Sequence, residues 1–295
     1  MALYKYVTAG TAVRILKGSI RFTQPGAFND PFELLPQFLV STELEDVERS
    51  FRFCMYSPRR TGLDRKRKVS IEAIQGDFQA RKIVASLNDK VGILCLSKNH
   101  ESLLMWAHYA DEYAGAVVEF DESHEFFTGP IPVKYQTRRP VYDLKDFYDC
   151  TIPLADLCVK SNVWSYEREV RLIRALADCK ETGGTAASGH PIYAMDVPIE
   201  AISGVILGGR MNVDNQKEIW NLVKDTNIAL CHAAVGNWEY GFMREPIKFK
   251  GPLVGTPVVS PRTALMFIDE PGPLGEMARW VLASHPMMPL AELRA

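Results

Sequence analysis

Residues 164–174 read Trp164-Ser165-Tyr166-Glu167-Arg168-Glu169-Val170-Arg171-Leu172-Ile173-Arg174, and apolar and charged side chains alternate along most of this stretch. Such alternation predicts a β-strand, because successive side chains of a strand point to opposite faces of a sheet. One face then carries mostly apolar groups, namely Trp164, Tyr166, Val170 and Leu172, with Arg168 among them. The other face carries two carboxylates and a guanidinium, from Glu167, Glu169 and Arg171.

The charged face of this predicted strand has two interpretations. Glu167, Glu169 and Arg171 either line the wall of a functional site, where nearby apolar material tunes a carboxylate, or form the solvated face of an antiparallel sheet. Ion pairs on a solvated face contribute little to stability. The pattern alone favours the solvated face.

Composition is typical of a globular protein. The chain has 295 residues, of which 47% are hydrophobic, so one large domain or two smaller ones can bury a core. Charged residues are 24% and the formal net charge is -2, which requires no nucleic-acid or membrane partner. No apolar stretch is long enough to span a membrane, and residues 1–10 lack the layout of a signal peptide. We therefore expect a cytoplasmic protein.

The cysteines and histidines give no metal-binding spacing. Six of each are scattered along the chain without close pairs, whereas zinc sites usually show short Cys/His spacings. We expect reduced thiols and no bound metal.

A strand–helix–strand unit is the clearest local architecture. Val91–Ser97 is a nearly continuous apolar run, as in a central strand that is buried on both faces. A helix follows from Ser102 to about Ala114, with Leu103, Trp106, Ala107 and Ala110 on its apolar stripe, and Gly115 ends it. The run Ala116–Phe120 then returns as a second buried strand.

The remaining predicted elements complete an α+β fold with a mixed, mainly antiparallel twisted sheet and flanking helices. The predicted strands are Leu3–Val7, Ser19–Thr23, Ile131–Gln136, Pro191–Val197, Ile202–Leu207 and Asn227–Ala233. Predicted helices cover Thr11–Lys17, most of 34–88, and Asp214–Asp225, whereas 140–157 reads as irregular or weakly helical. Residues 177–189 form a loop, after which Pro191–Val197 pairs back with the strand at 164–174.

Three local features each have two interpretations. Phe28-Asn29-Asp30-Pro31-Phe32-Glu33 is a well-made corner, or a corner in which Asn29 or Asp30 faces a ligand. The ten residues 59–68 contain six basic side chains and form a solvated loop or a phosphate-contacting patch. Gly208-Gly209 is a tight connection or a phosphate cradle. For each feature, the pattern favours the structural interpretation.

Two aromatic side chains of the predicted helix also favour a structural interpretation. His108 is more typical of a hydrogen-bonded helix flank than of a catalyst, and Trp106 is more typical of a core residue than of a stacking platform.

We expect a single domain over residues 1–250. Residues 251–295 are rich in proline, could form a helix only at Leu274–Ser284, and form an appendage that docks on the domain or on a protein partner.

Five islands of sequence together resemble a bacterial family that is classed only as a domain of unknown function. They are Leu3-Tyr4-Lys5-Tyr6, Phe28-Asn29-Asp30-Pro31-Phe32-Glu33, Leu94-Cys95-Leu96-Ser97, Met105-Trp106-Ala107-His108-Tyr109-Ala110 and Trp164-x-x-Glu167-x-Glu169-x-Arg171. The resemblance spans about residues 3–250 and leaves the C-terminal segment outside it.

The order of these islands is similar, more distantly, to the ADP-ribosyltransferase fold. That family places a basic or aromatic residue on its first strand, a serine on a second core strand, and a catalytic glutamate on a later strand, often within Glu-x-Glu. The resemblance implies that these positions are Lys5 or Tyr6, Ser97, and Glu169 with Glu167. This chain has lysine where that family usually has arginine or histidine, and it lacks the threonine-serine that usually follows the serine.

The resemblance implies an NAD-dependent ADP-ribosyltransferase whose acceptor is a nucleic acid or a protein. Cleaving the nicotinamide–ribose bond builds oxocarbenium character, which a nearby carboxylate stabilises. In this hypothesis Glu169 binds the ribose hydroxyl, and Glu167 positions or deprotonates the acceptor. Ser97 and Tyr6 hold the ribose and the nicotinamide, and Lys5 or Arg171 contacts a phosphate. By family analogy, the protein is a toxin or a phage-defence effector.

Two other functions stay open at this stage. The chain could be a non-catalytic module in which Asn29, Asp30, His108 and Tyr109 recognise a nucleotide, a nucleic acid or a protein. It could also be a hydrolase of nucleotide or nucleic-acid bonds that uses the same two carboxylates without NAD. Response to NAD distinguishes these three functions.

Overall fold

The computed structural model describes residues 2–39, 71–143, 146, 152–251 and 257–286. Its strands, β1 to β15 in chain order, are Ala2–Val7, Ser19–Phe22, Gln37–Leu39, Val91–Ser97, Ala116–Asp121, Ile131–Pro132, Lys134–Gln136, Val141–Asp143, Val159–Ser161, Glu169–Ala175, Lys180–Thr185, Pro191–Asp196, Ile202–Leu207, Ala229–Val235 and Phe242–Lys248. Its helices, α1 to α6, are Ala9–Leu16, Ile71–Leu87, Leu103–Tyr109, Val213–Val223, Ala264–Phe267 and Pro273–Ser284.

One large sheet organises these elements. Its eight strands lie in the order β15-β14-β13-β5-β1-β4-β10-β6. Every neighbouring pair is antiparallel except β13 and β14, which are parallel and are joined through α4. A three-stranded sheet, β11-β12-β2, lies next to it and is linked to β4 by a bridge between Thr23 and Ile93. The prediction of an α+β fold with a mixed, mainly antiparallel sheet and flanking helices is confirmed.

Helices cover both faces of the large sheet. On one face, α1 and α4 pack their apolar sides into the main core together with α5 and α6. On the other face, α3 inserts Met105 and Trp106 against Tyr6, Val117 and Ile206. Burying one such large side chain contributes about 1.5–3 kcal/mol, so α3 is held chiefly by its packing. The strands β5 and β13 lie between these layers and are almost entirely buried, as their continuous apolar runs predict.

The stretch 164–174 differs from its prediction. Residues Asn162–Glu167 form a 3₁₀-helix, Arg168 adopts a left-handed conformation with φ 43°, and the strand begins only at Glu169. The amide of Arg168 donates to the carbonyl of Ser165, and its carbonyl accepts from Lys98, so the turn is fixed at both ends. Trp164 and Tyr166 therefore do not share a strand face with Val170. The expected solvated face is also wrong, because Glu167, Glu169 and Arg171 are all buried.

The partner of this strand also differs from its prediction. We expected Pro191–Val197 to pair with residues 164–174, but β12 pairs with β11 and β2 instead. The predicted loop at 177–189 contains β11, whose register shifts near Gly183, a residue with φ 75°. Strand β10 is already paired on both edges, with β4 and with β6, and so cannot accept β12.

Several boundaries change because tertiary contacts outweigh local pattern. The predicted strand at Ile131–Gln136 divides at Val133, whose amide donates to Glu169, and its halves join different sheets. The predicted helix from Ser102 ends at Tyr109, before a short 3₁₀ turn at 111–113. Within 34–88 the structure shows β3 and α2, and the basic run 59–68 lies outside the described residues.

The described part of the C-terminal segment packs on the rest of the chain. Phe267 of α5 and Val281 of α6 belong to the main core, and α5 is a helix that the sequence did not predict. The indole nitrogen of Trp220 donates to Glu270 at 2.8 Å, which fixes the loop between the two helices. We expected this segment to dock either on the domain or on a protein partner, and its described part docks on the domain.

Candidate functional site

A cavity of about 280 Å³ opens between β1, the end of β4 and the start of β10. Ser97 is paired in register with Tyr4 on one side and with Glu169 on the other, so three central strands bring distant segments together. The lining includes the predicted site residues Lys5, Tyr6, Asn29, Ser97, Tyr109, Glu167 and Glu169.

A cluster of five buried charges lies beside this cavity, and three of its members line it. We call Glu33, Lys160, Glu167, Glu169 and Arg171 the charge cluster; the side chain of each is at most 5% exposed. The ammonium of Lys160 lies 3.0 Å from Glu33, 2.6 Å from Glu167 and 2.9 Å from Glu169. Lys160 therefore joins three carboxylates through a single nitrogen.

The guanidinium of Arg171 completes the charge cluster. Its Nε donates to Oε1 of Glu169 at 2.8 Å and its Nη2 donates to Oε2 at 3.0 Å, as in a bidentate pair. The same Nη2 lies 2.7 Å from Oε2 of Glu33. Three carboxyl groups thus share two cations. Buried ion pairs are poor stabilisers compared with apolar packing, so this arrangement favours a functional explanation.

Electrostatics keep Glu169 ionised. Burial by itself raises the pKa of a carboxyl group, but the charge and hydrogen bonds of Arg171 and the charge of Lys160 outweigh it and lower the pKa of Glu169 to about 2. For Lys160, burial lowers the pKa, and the carboxylates around it raise the pKa well above its usual range. Burial raises the pKa of Glu33, and its two cationic neighbours only partly offset this.

A hydrogen-bonded chain connects the charge cluster to the corner at 28–33. The hydroxyl of Tyr109 donates to Oε1 of Glu167 at 2.7 Å and accepts from Nδ2 of Asn29 at 3.1 Å. Burial and the bond to Glu167 raise the pKa of Tyr109, so its hydroxyl remains a donor. Both oxygens of Glu167 are occupied by donors, from Tyr109 and Lys160. Glu167 is therefore held in place through both of its oxygens.

Three other predicted site residues donate hydrogen bonds to backbone carbonyls and so stabilise the local structure. The hydroxyl of Ser97 donates to the carbonyl of Glu167 at 2.6 Å and accepts from the amide of Asn99, so it fixes the 3₁₀ turn beside the cavity. The hydroxyl of Tyr6 donates to the carbonyl of Asn99. The amine of Lys5 donates to the carbonyl of Cys95 at 2.9 Å, and burial lowers its pKa.

Three predicted residues do not reach the cavity. Arg171 was expected to contact a phosphate, but it is fully buried and bound to two carboxylates, so it supports Glu169 instead. Asp30 caps its own turn by accepting from the amide of Phe32, which is the structural interpretation of this corner. His108 is exposed, and its ring lies 6.4 Å from the rings of Tyr109 and Tyr166.

Sequence reasoning missed three residues of the site. Glu33 ends the predicted corner, but nothing local indicates that its carboxylate meets Arg171. Lys160 lies on a short strand without a distinctive pattern, and the tertiary packing of β9, which pairs with β7, brings it to the carboxylates. The hydroxyl of Tyr135 accepts from the amide of Glu169 at 2.8 Å and fixes the start of the strand.

The position between the three carboxylates is taken by a side-chain cation. The ammonium of Lys160 lies between these carboxylates, and no group of side chains that could hold a metal ion is found among the described residues. Within the same residues, no helix is both long and apolar enough to cross a membrane. Comparisons with family models, curated proteins and solved structures find no match to this chain.

Proposed function

We propose that the chain is an NAD-dependent ADP-ribosyltransferase-like enzyme whose reaction takes place in the cavity beside the charge cluster. The observation that carries this proposal is the position of Glu169: it is an ionised carboxylate in a cavity that it shares with the first strand and Ser97. The sequence resemblance requires these three parts together. The acceptor is a nucleic acid or a protein, and the biological setting is that of a toxin or a phage-defence effector.

The chemistry follows from a fixed negative charge. The bond between nicotinamide nitrogen and ribose C1′ breaks, and its electron pair neutralises the pyridinium ring, so the leaving group needs no proton. Positive charge then develops on the ribose, where Glu169 stabilises it. The acceptor attacks C1′, and its proton passes to Glu167, which Tyr109 and Lys160 hold in place.

Glu169 has room for one ribose hydroxyl. A carboxylate offers about four lone-pair sites, and Arg171 and Lys160 use three of them. The fourth faces the thiol of Cys95, a weak donor that a ribose hydroxyl can replace. The cavity volume of about 280 Å³ suits the nicotinamide and its ribose, and the rest of NAD extends toward the mouth.

The fixed charges also argue against a hydrolase that works by acid–base catalysis without NAD. Such an enzyme needs one protonated carboxyl group to donate to the leaving group. Glu169 is ionised at all ordinary pH values, and both oxygens of Glu167 accept hydrogen bonds from donors. Glu33, whose pKa is raised, does not line the cavity.

Release of nicotinamide from NAD tests the proposal. We expect Glu169→Gln to lose roughly 10²–10³-fold in rate, because it removes the charge that faces the ribose. The matched control is Glu33→Gln, which removes a carboxylate from the same charge cluster without changing the cavity lining. We expect this control to stay within about tenfold of wild type. Equal rates in wild type and Glu169→Gln, with both folded by circular dichroism, would contradict the proposal.

A further inference from the structure

A second and larger cavity lies on the other side of α3. It measures about 810 Å³, and its lining includes Leu103, Trp106, Tyr113, Arg210, Val235 and Phe242. We call it the aromatic groove. Met105 and Tyr109 of α3 face the smaller cavity, whereas Leu103 and Trp106 face the groove. Leu103 is 43% exposed although its helix pattern predicts a core position.

The floor of the aromatic groove is a fixed set of rings. Tyr113 and Phe242 stack with their centroids 4.5 Å apart, and Trp106 meets both of them edge-on. The turn that places Tyr113 has positive φ at three consecutive non-glycine residues, 111–113. Such backbone strain persists only where the surroundings hold it, and it is common at ligand clamps. This turn places Tyr113 in the floor of the groove.

Large apolar side chains stand exposed beside this floor. Val235 is 56% exposed, and the turn that follows it carries Trp238 and Tyr240 at 96% and 101% exposure. Exposed apolar groups next to a cavity are typical of protein interfaces, in which tryptophan and tyrosine are enriched.

The charges around the groove indicate which kind of partner fits. Glu112 and Arg210 line it, and the adjoining turns carry exposed Asp111 and Glu239, so these residues comprise three carboxylates and one guanidinium. An acidic rim repels the phosphates of a nucleic acid, although exposed aromatics could otherwise stack bases. The same rim attracts lysine and arginine.

We propose that the aromatic groove binds a segment of a partner protein in which an aromatic or aliphatic anchor is flanked by basic residues. The anchor lies on the rings of Trp106, Tyr113 and Phe242, Trp238 and Tyr240 close over it, and the basic residues meet the acidic rim. This proposal does not depend on the reaction proposed for the smaller cavity, because the two cavities have separate linings.

Selection from a random dodecapeptide library displayed on phage, with the full chain as bait, tests the groove. We expect enriched peptides that combine Trp, Phe or Leu with Lys or Arg. A synthetic enriched peptide should bind roughly tenfold or more weakly to Trp238→Ala and to Glu112→Lys. The control is Trp280→Ala, which removes a tryptophan that is 57% exposed on α6 and does not line the groove. It should bind the peptide like wild type.

Each other outcome overturns the proposal. Enriched peptides without this composition, no enrichment at all, or binding that both groove variants keep, would show that the groove does not select such a segment. Binding of a thymidine oligonucleotide that Trp238→Ala abolishes would assign the groove to single-stranded nucleic acid. Self-association in sedimentation experiments that Trp238→Ala abolishes would assign it to a second copy of this chain.

Discussion

Arg171 and Glu169 lie two residues apart on β10 and form a bidentate ion pair on the same face of the strand, at 2.8 and 3.0 Å. Side chains at this spacing point the same way, so the strand itself holds the pair together. Glu33, which Arg171 also binds, comes from far away in the sequence, since it precedes β10 by more than a hundred residues. The pair is what keeps a buried carboxylate ionised beside the cavity.

The first prediction concerns acid stability. The folded protein lowers the pKa of Glu169 from 4.5 to about 2, so this group adds stability above pH 4.5 that is lost as the pH falls toward 2. The loss amounts to roughly 3 kcal/mol. Urea unfolding measured between about pH 5 and 2 should therefore show a weaker pH dependence in Glu169→Gln than in wild type.

Glu181→Gln is the matched control for acid stability, because it removes an exposed carboxylate on β11. Its pH dependence should follow that of wild type. An identical slope in wild type and Glu169→Gln would show that Glu169 is not held ionised by its neighbours.

The second prediction concerns Lys160. Replacing it with methionine leaves three buried carboxylates with one cation, and removing one partner of a buried pair costs about 3–5 kcal/mol. Lys134→Met is the control, because Lys134 pairs with Asp156 on the surface, where an ion pair contributes little to stability. Chemical denaturation measures the free energy of unfolding of both variants. Similar losses of stability would contradict the role of Lys160 as the centre of the charge cluster.

The third prediction concerns the strand–helix–strand unit. A Cβ added at Gly115 would meet the backbone of Val7 and of Ala110, so Gly115→Ala should lower the free energy of unfolding by about 1–3 kcal/mol. At Gly10 in α1 a Cβ meets nothing within 4 Å, so Gly10→Ala should leave stability unchanged or raise it by up to about 1 kcal/mol. Thermal unfolding of both variants checks the contrast. A stable Gly115→Ala protein would show that β1 and α3 approach each other less closely than described.

Much of the fold could be predicted because it depends on local pattern. Continuous apolar runs indicate β4 and β13. The pairing partners of β12 could not be predicted, since they depend on which strand edges are already occupied. The left-handed turn at Arg168 is likewise fixed by contacts with Ser165 and Lys98. It could not be predicted, because arginine is not a residue type that favours this conformation.

In the candidate site, too, local pattern predicts some features, and others depend on tertiary contacts. The alternation at 169–171 predicts that Glu169 and Arg171 share a face of the strand, but not whether that face is exposed to solvent or buried. Glu33 and Lys160 decide this. Glu33 comes from a distant part of the sequence, whereas Lys160 lies close in sequence but on a separate short strand, and no spacing in the sequence reveals either contact. Interpretations of single residues were more reliable where packing dominates, as for Trp106, which lies in the core.

The most direct test of the central claim is a crystal structure of the wild-type chain with carbocyclic NAD, which binds like NAD but cannot lose nicotinamide. The account predicts the nicotinamide in the cavity beside β1 and a ribose hydroxyl about 2.6–3.2 Å from the carboxylate of Glu169. An analogue bound elsewhere, or no bound analogue at saturating concentration, would contradict it.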